Sequence, residues 1–158
     1  MVAEDTGYLP NASEELLLEH DDILFNRTNS FELVGKSGIF KGNKSDKVTF
    51  ASYLVRLRAL ERESADWLNY LLNDNCFLAY VRSLALRSLH QANLNPSRFS
   101  SVRIPAPPLA EQKEIQQHLN DIDIEFDRQI DSAQRTIQLY EELRKNYISE
   151  AVTGKIKV

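Results

Sequence analysis

Pro107-Pro108-Leu109-Ala110-Glu111-Gln112 opens the last third of the chain, and Ile148-Ser149-Glu150-Ala151-Val152-Thr153-Gly154-Lys155-Ile156 closes it. Between them apolar or ring-bearing residues fall at Ile115, Leu119, Ile122, Phe126, Ile130, Ala133, Ile137, Tyr140, Leu143 and Tyr147, nine steps over 32 residues. That step lies between the coiled-coil and straight-helix repeats, so the spacing predicts one continuous helix carrying one apolar stripe. Proline at the first helical positions sacrifices only amides that would be unpaired anyway, and Glu111 and Glu114 put negative charge at the positive end of the helix dipole. Gly154 suits the left-handed C-cap, with Lys155 and Lys157 following it near the negative end. Neither Gly nor Pro interrupts positions 109–153. About 40 helical residues span roughly 60 Å, more than a chain of this size needs for its own core. The stripe therefore calls for a partner helix, and Ile115, Leu119, Ile122, Phe126, Ile130, Ile137, Tyr140 and Tyr147 are the expected pairing face. Packing on the chain's own globular part is the alternative.

The 158 residues are 42% hydrophobic and 27% charged, enough for one modest core. The expected division is a globular part over 1–103, then a linker and the long helix over 104–158. No apolar run approaches the roughly 18 residues of a membrane span, and the first residues lack the basic and apolar segments of a signal peptide. The single cysteine, Cys76, can form no internal disulfide, so the expectation is a cytoplasmic protein in which Cys76 is a buried small hydrophobe. The net charge of -4 is uneven. Residues 1–26 hold seven acids and no Lys or Arg, 27–103 hold twelve bases against six acids, and 104–158 hold seven bases against ten acids. A cationic middle between acidic ends is the footprint a phosphate-binding surface needs, although small domains often carry such patches without using them.

Along the globular part, a turn at His20-Asp21-Asp22 enters a short buried strand at Ile23 to Phe25. Asn26-Arg27-Thr28-Asn29-Ser30 reads as a polar loop, because Asn and Ser side chains bond their own backbone. Phe31 to Val34 suggests a second strand and Gly35-Lys36-Ser37-Gly38 a tight turn before Ile39-Phe40. After the lysine-rich loop Lys41 to Lys47, Val48 to Arg58 is expected to be a strand, with Tyr53, Val55 and Leu57 on one face and Leu54, Arg56 and Arg58 on the other. Ser64 is the expected cap of a helix that buries Trp67, Leu68, Leu71 and Leu72, with Asp66 in its first turn. A second helix is expected from Cys76 to about Arg87, burying Phe77, Leu78, Val81 and Leu84. Asn93-Leu94-Asn95-Pro96 reads as a turn, and Pro105 to Pro108 as a stiff linker.

Asp22-Ile23-Leu24-Phe25-Asn26-Arg27-Thr28-Asn29-Ser30 with Val34-Gly35-Lys36, then Phe50-Ala51-Ser52-Tyr53-Leu54, the Pro-Pro-Leu-Ala-Glu-Gln start and Ser149-Glu150-Ala151-Val152-Thr153-Gly154-Lys155 together resemble the specificity subunit of Type I restriction-modification enzymes. The resemblance covers nearly the whole chain, and its four parts stand in order. It implies an α+β fold, a small mixed α/β target-recognition domain followed by one long C-terminal helix that pairs antiparallel with a partner helix. A full subunit of this kind has two such domains, each reading half of a split DNA site, and two long helices acting as a ruler between them. The matches here begin in the second half of such a domain, so the expectation is a partial domain, a truncated fragment or a naturally short half-subunit. A second copy could then supply the missing helix in a twofold-symmetric pair. The implied partners are double-stranded DNA, the Type I modification methyltransferase subunit and, through it, the restriction subunit.

Within that resemblance Arg27, Lys36, Lys41, Lys44 and Lys47 are candidates for phosphate contact, since they cluster around turns. Asn29, Gln91 and Asn93, like Asn26, carry amides able to read adenine, although Asn26 and Asn29 equally suit the capping of turns. Arg82 and Arg87, five apart on the expected helix, rank lower. An enzyme's parts are missing. No glycine-rich loop suits a cofactor, Gly35-Lys36-Ser37 lacks the upstream glycine of a phosphate loop, and His20, His90, His118 and Cys76 do not fall at metal-ligand spacing. Ala106-Pro107-Pro108-Leu109 lacks the leading Asp or Asn and the closing aromatic of an adenine methyltransferase motif. The chain is therefore expected to be non-catalytic, without cofactor or metal, and to direct a separate methyltransferase. The alternative is an oligomerisation or regulatory module that binds the methyltransferase without reading DNA.

Overall fold

The computed structural model describes residues 13–89 and 91–157. The chain divides into two compact units, Met1–Gln116 and Gln117–Val158.

The first unit is built on β1 (Ile23–Asn26), the middle strand of an antiparallel sheet ordered β3-β1-β4, with β3 at Ser37–Ile39 and β4 at Leu54–Leu57. Ile23 stands between Ile39 and Leu57, and Phe25 between Ser37 and Val55. Side chains alternate along a strand, so Ile23 and Phe25 enter the core while Leu24 and Asn26 face the other way, half-buried. A second antiparallel sheet, ordered β2-β6-β5, joins β2 (Thr28–Asn29), β6 (Ala92–Asn93) and β5 (Leu86–Arg87). Helices α1 (Ala65–Asn73) and α2 (Asn75–Ser83) close the core, and α3 (Pro96–Ser100) follows the second sheet. Phe25 stacks on Phe99 at 4.1 Å between ring centroids, and Phe77 meets Phe99 edge-on. Around them Val34, Val81, Ala92 and Leu94 form one buried cluster and Ile23, Ala65 and Leu72 another.

Ser64 caps α1 as expected, its hydroxyl accepting from Trp67 N at 3.2 Å. Trp67 and Leu72 are buried, whereas Leu68 and Leu71 are only half-buried. The mixed α+β class and the long helix match the expectation. Several element limits do not. Phe31 to Val34 is a turn, not a strand: Leu33 N and Val34 N both donate to Ser30 O, and Arg82 donates to the carbonyls of Val34 and Glu32. Gly35 then takes a left-handed φ of 89°, and β3 begins at Ser37 inside the expected tight turn. The polar loop 26–30 contains the end of β1 and all of β2, and the turn expected at Asn93 holds the end of β6. The strand expected over Val48 to Arg58 shrinks to Leu54–Leu57, because the four-residue β1 offers no longer partner. The second helix stops at Ser83, and Leu86–Arg87 leaves it for the second sheet. Cys76 is exposed in the first turn of α2 and does not belong to the core.

Helix α4 runs over Leu109–Val152 without a break, 44 residues or about 66 Å. Gly154 at φ 71° ends it, and Lys155 N reaches back to Glu150 O at 2.9 Å, the six-to-one bond of a glycine C-cap. The first turns of α4, to Gln116, belong to the first unit; the second unit is the rest of the helix. There the stripe residues Ile122, Phe126, Ile130, Ile137, Tyr140 and Tyr147 are all exposed, and so are Asp123, Asp127 and Asp131 beside them. In the first unit Ile115 is at the edge of exposure, and in the second Leu119 is half-buried. Among the described residues, no helix is long and apolar enough to cross a membrane.

Candidate nucleic-acid interface

The candidate contact residues divide between the two ends of β1, roughly 10 Å apart for four extended residues. At the Asn26 end the backbone of Arg27 ties both sheets together. Its N–H donates to Tyr53 O at 3.0 Å, and its carbonyl accepts from Leu94 N at 2.8 Å. Lys36 lies beside it, since Asn26 N donates to Lys36 O at 2.9 Å, and its side chain is exposed. Asn29 pairs with Ala92 across the second sheet, and its Oδ1 accepts from Ser30 N at 2.8 Å, the turn-capping role. Asn93 spends an amide hydrogen on Thr28 Oγ1 at 2.8 Å, directly across the sheet. Gln91 is exposed where β5 turns into β6, its carbonyl accepting from Ser88 N at 2.7 Å. Arg27, Asn29, Lys36, Gln91 and Asn93 are thus brought together. Among the described residues, Asn26 Oδ1 and Arg27 Nε are the buried side-chain atoms that find no hydrogen-bond partner.

Lys41, Lys44 and Lys47 lie at the other end, where Asp21 N donates to Phe40 O. Lys41 Nζ reaches Asp21 at 2.8 Å and Asp66 at 2.6 Å, and Lys44 Nζ reaches Glu19 at 2.8 Å. Burial works against the Lys41 ammonium, but its hydrogen bonds to Asp21 and Asp66 outweigh that and hold its pKa above the ordinary lysine value. The hydrogen bond from Lys44 is the main cause that holds the Glu19 carboxyl below its usual range. Arg58 is committed likewise, bonded to both oxygens of the fully buried Asp22 at 2.7 and 3.0 Å. Lys47, with a left-handed φ of 51°, is exposed and makes no ion pair with a described residue. Lys41, Lys44, Arg56 and Arg58 of the cationic middle segment are thus paired with acids of the first segment.

Arg82 and Arg87 stand differently from the sequence expectation. Arg82 is a clamp on the 31–35 turn. Arg87 is exposed on β5 with its guanidinium 3.4 Å from the centre of the Phe31 ring, and it joins the Arg27 end. A cation stacked on an aromatic face keeps its outward N–H groups available to an anion. Reading Arg87 as the end of a helix hid this; the Leu86-Arg87 and Ala92-Asn93 pairs flanking a turn were the available signal. His90 lies outside the described residues. Among those described, no group of three His, Cys, Asp or Glu could hold a metal ion. The arrangement offers the exposed cations Lys36 and Arg87 and the exposed amide of Gln91 at one end of a small sheet, which suits hydrogen bonding to phosphates and base edges.

The mixed α+β unit with such an edge and the long helix that follows it agree with the fold that the sequence resemblance implies. Residues 6–135 match the Type I restriction modification DNA specificity domain family, and the chain belongs to that family. It is similar to a type I restriction enzyme MjaX specificity subunit of Methanocaldococcus jannaschii, 28% identical over 152 residues that make up 93% of this chain and 35% of that protein. It is also similar to the type I restriction enzyme StySPI specificity subunit of Salmonella potsdam, 33% identical over 100 residues, 62% of this chain and 21% of the relative. The chain spans about a third of the first relative's length and about a fifth of the second's.

Proposed function

We propose that the chain is a non-catalytic DNA-specificity component that directs a Type I modification methyltransferase, working in the cytoplasm as a half-subunit paired through α4 with a second copy. The observation that carries the pairing is the exposed stripe of the second unit, from Ile122 to Tyr147. Scattered exposed apolar side chains are normal, but a continuous row at helical spacing is a surface that water disfavours and a second helix covers. Towards the C-terminus, Leu139, Leu143, Ile148 and Val152 are exposed as well, which widens the apolar arc beyond what one partner helix covers. The wider arc supports the methyltransferase subunit, and through it the restriction subunit, as a further partner there. Co-expression with a Type I modification methyltransferase subunit tests the reading. A complex that methylates a defined symmetric site is the expected result, and failure to co-purify would overturn it.

The neutralised lysine loop favours a second reading, a module that binds the methyltransferase without reading DNA. Salt dependence separates the two. If the Arg27 end binds phosphates, Lys36→Ala with Arg87→Ala should flatten the slope of log affinity against log salt by roughly 2, about 0.9 for each phosphate no longer neutralised. Lys41→Ala with Lys44→Ala should leave the slope unchanged, since those ammonium groups are already paired. Duplex binding absent at low salt favours the second reading.

A further inference from the structure

Gln112 is the most deeply placed polar side chain of α4, only 1% exposed, and every hydrogen-bonding group of its amide is engaged. Oε1 accepts from Ser64 N at 2.8 Å, and Nε2 donates to Glu63 Oε2 at 2.6 Å and to Pro107 O at 2.8 Å. These partners fix which way the amide points, because a backbone N–H only donates and a proline carbonyl only accepts. One turn later on the same face, Gln116 Oε1 accepts from Ser64 Oγ at 2.7 Å and Nε2 donates to Asp66 Oδ2 at 3.0 Å. Ser64 is also the N-cap of α1. One serine thus gives its N–H to Gln112 and its hydroxyl proton to Gln116, and still accepts from Trp67 N.

We infer that Gln112 and Gln116 are positioning residues that register the first two turns of α4 on the N-cap of α1. Apolar packing tolerates sliding and rotation, since one methyl group serves nearly as well as another. Directional bonds do not. A slip of one residue moves a helical side chain by about 1.5 Å along the axis and about 100° around it, which would break all these bonds and leave a buried amide unpaired. Resting on the reading proposed above, the joint would set where the spacer helix starts relative to the DNA-reading surface, and so the spacing between half-sites.

The joint is testable without DNA. Spin labels on Cys76, exposed on α2, and on an introduced Lys113→Cys, diluted with unlabelled Cys76→Ser protein, should give one narrow intrachain distance. Gln112→Leu with Gln116→Leu should lose that single narrow distance while helix content by circular dichroism is kept. Gln116→Leu alone, at a half-buried position, is the milder variant should the double one misfold, and a distribution as narrow as wild type there would overturn the inference. In the methyltransferase complex, sequencing of methylated sites should show relaxed spacer length with unchanged half-site sequences. Reduced methylation at one unchanged spacer would show a purely structural role and overturn the spacing consequence. If wild type methylates nothing, the DNA-directing reading fails, and the label distance alone decides the joint.

Discussion

Phe126→Asp with Ile130→Asp should convert the chain from dimer to monomer at tens of micromolar, measured as solution mass by light scattering or sedimentation. Phe126 is 58% exposed and Ile130 51% exposed in the single chain, so both have apolar surface left to bury. Complete burial of such side chains contributes about 1.5–3 kcal/mol each. In a twofold antiparallel pair the middle of the stripe, midway between 115 and 147, faces its own copy, so two substitutions place four carboxylates near one another in an otherwise apolar seam. A loss above about 5 kcal/mol is then expected, which weakens association more than about a thousandfold at 1.4 kcal/mol per decade. Aspartate inside a helix costs only about 0.7 kcal/mol relative to alanine, so helix content should change little beyond what pairing itself supports. A wild-type chain already monomeric at that concentration refutes the pairing.

The second large effect concerns the ion pair under the first sheet. Asp22, at the threshold of β1, is fully buried, while Arg58, just past β4, is about half exposed. Burial by itself pushes the Asp22 carboxyl up. The hydrogen bonds from Arg58 and from Glu19 N, and the charges of Arg58 and Arg56, more than reverse this and hold it below the usual carboxylate range. The two halves of the pair should therefore differ. Arg58→Ala leaves a buried carboxylate with a single backbone donor and Arg56 at 4.0 Å, and should cost about 3 kcal/mol, the low end for breaking a buried pair because Arg58 is partly hydrated. Asp22→Ala leaves an arginine that can turn to water or to Glu19, and should cost less. Urea unfolding of both variants checks the order, and equal costs would contradict the asymmetry.

The pH dependence has a definite sign. A carboxyl whose folded pKa lies below its unfolded value of about 3.9 adds stability that is complete above the unfolded value and is lost as pH falls through the folded one. Without Arg58 the burial of Asp22 is opposed only by Glu19 N and Arg56, and its pKa should move up from its place in the wild type. Wild type should lose stability on acidification faster than Arg58→Ala, so the gap between them should narrow below about pH 4.

Local rules made α4, the Ser64 cap, the His20-Asp21-Asp22 turn and β1 readable from the residue order. A 3.6-residue repeat, a capping serine and a glycine stop act within a few positions of one another, and no tertiary partner overrode them. The four ordered motifs likewise placed the chain in its family. The charge run from Arg27 to Arg103 was less informative than its positive sum suggests. Lys41 meets Asp66 across 25 positions and Arg58 meets Asp22 across 36, so whether a lysine or arginine is available to phosphate is decided by partners far away in the chain.

What the sequence by itself determined is thus the long helix, its ends and its apolar face, because these rest on periodicity and on backbone groups satisfied nearby, and, through the family resemblance alone, the α+β class. Only the tertiary structure decided where strands stop, since pairing extends as far as the four residues of β1 allow. It also decided that Phe31 to Val34 turns under the Arg82 clamp, that Arg87 leaves a helix for a sheet, that Cys76 faces solvent, and that Gln112 is buried against Ser64 rather than lying on a solvated helical face. These outcomes depend on neighbours that folding supplies, such as Arg82 at the 31–35 turn and Ser64 at Gln112, and residue order alone does not contain that information.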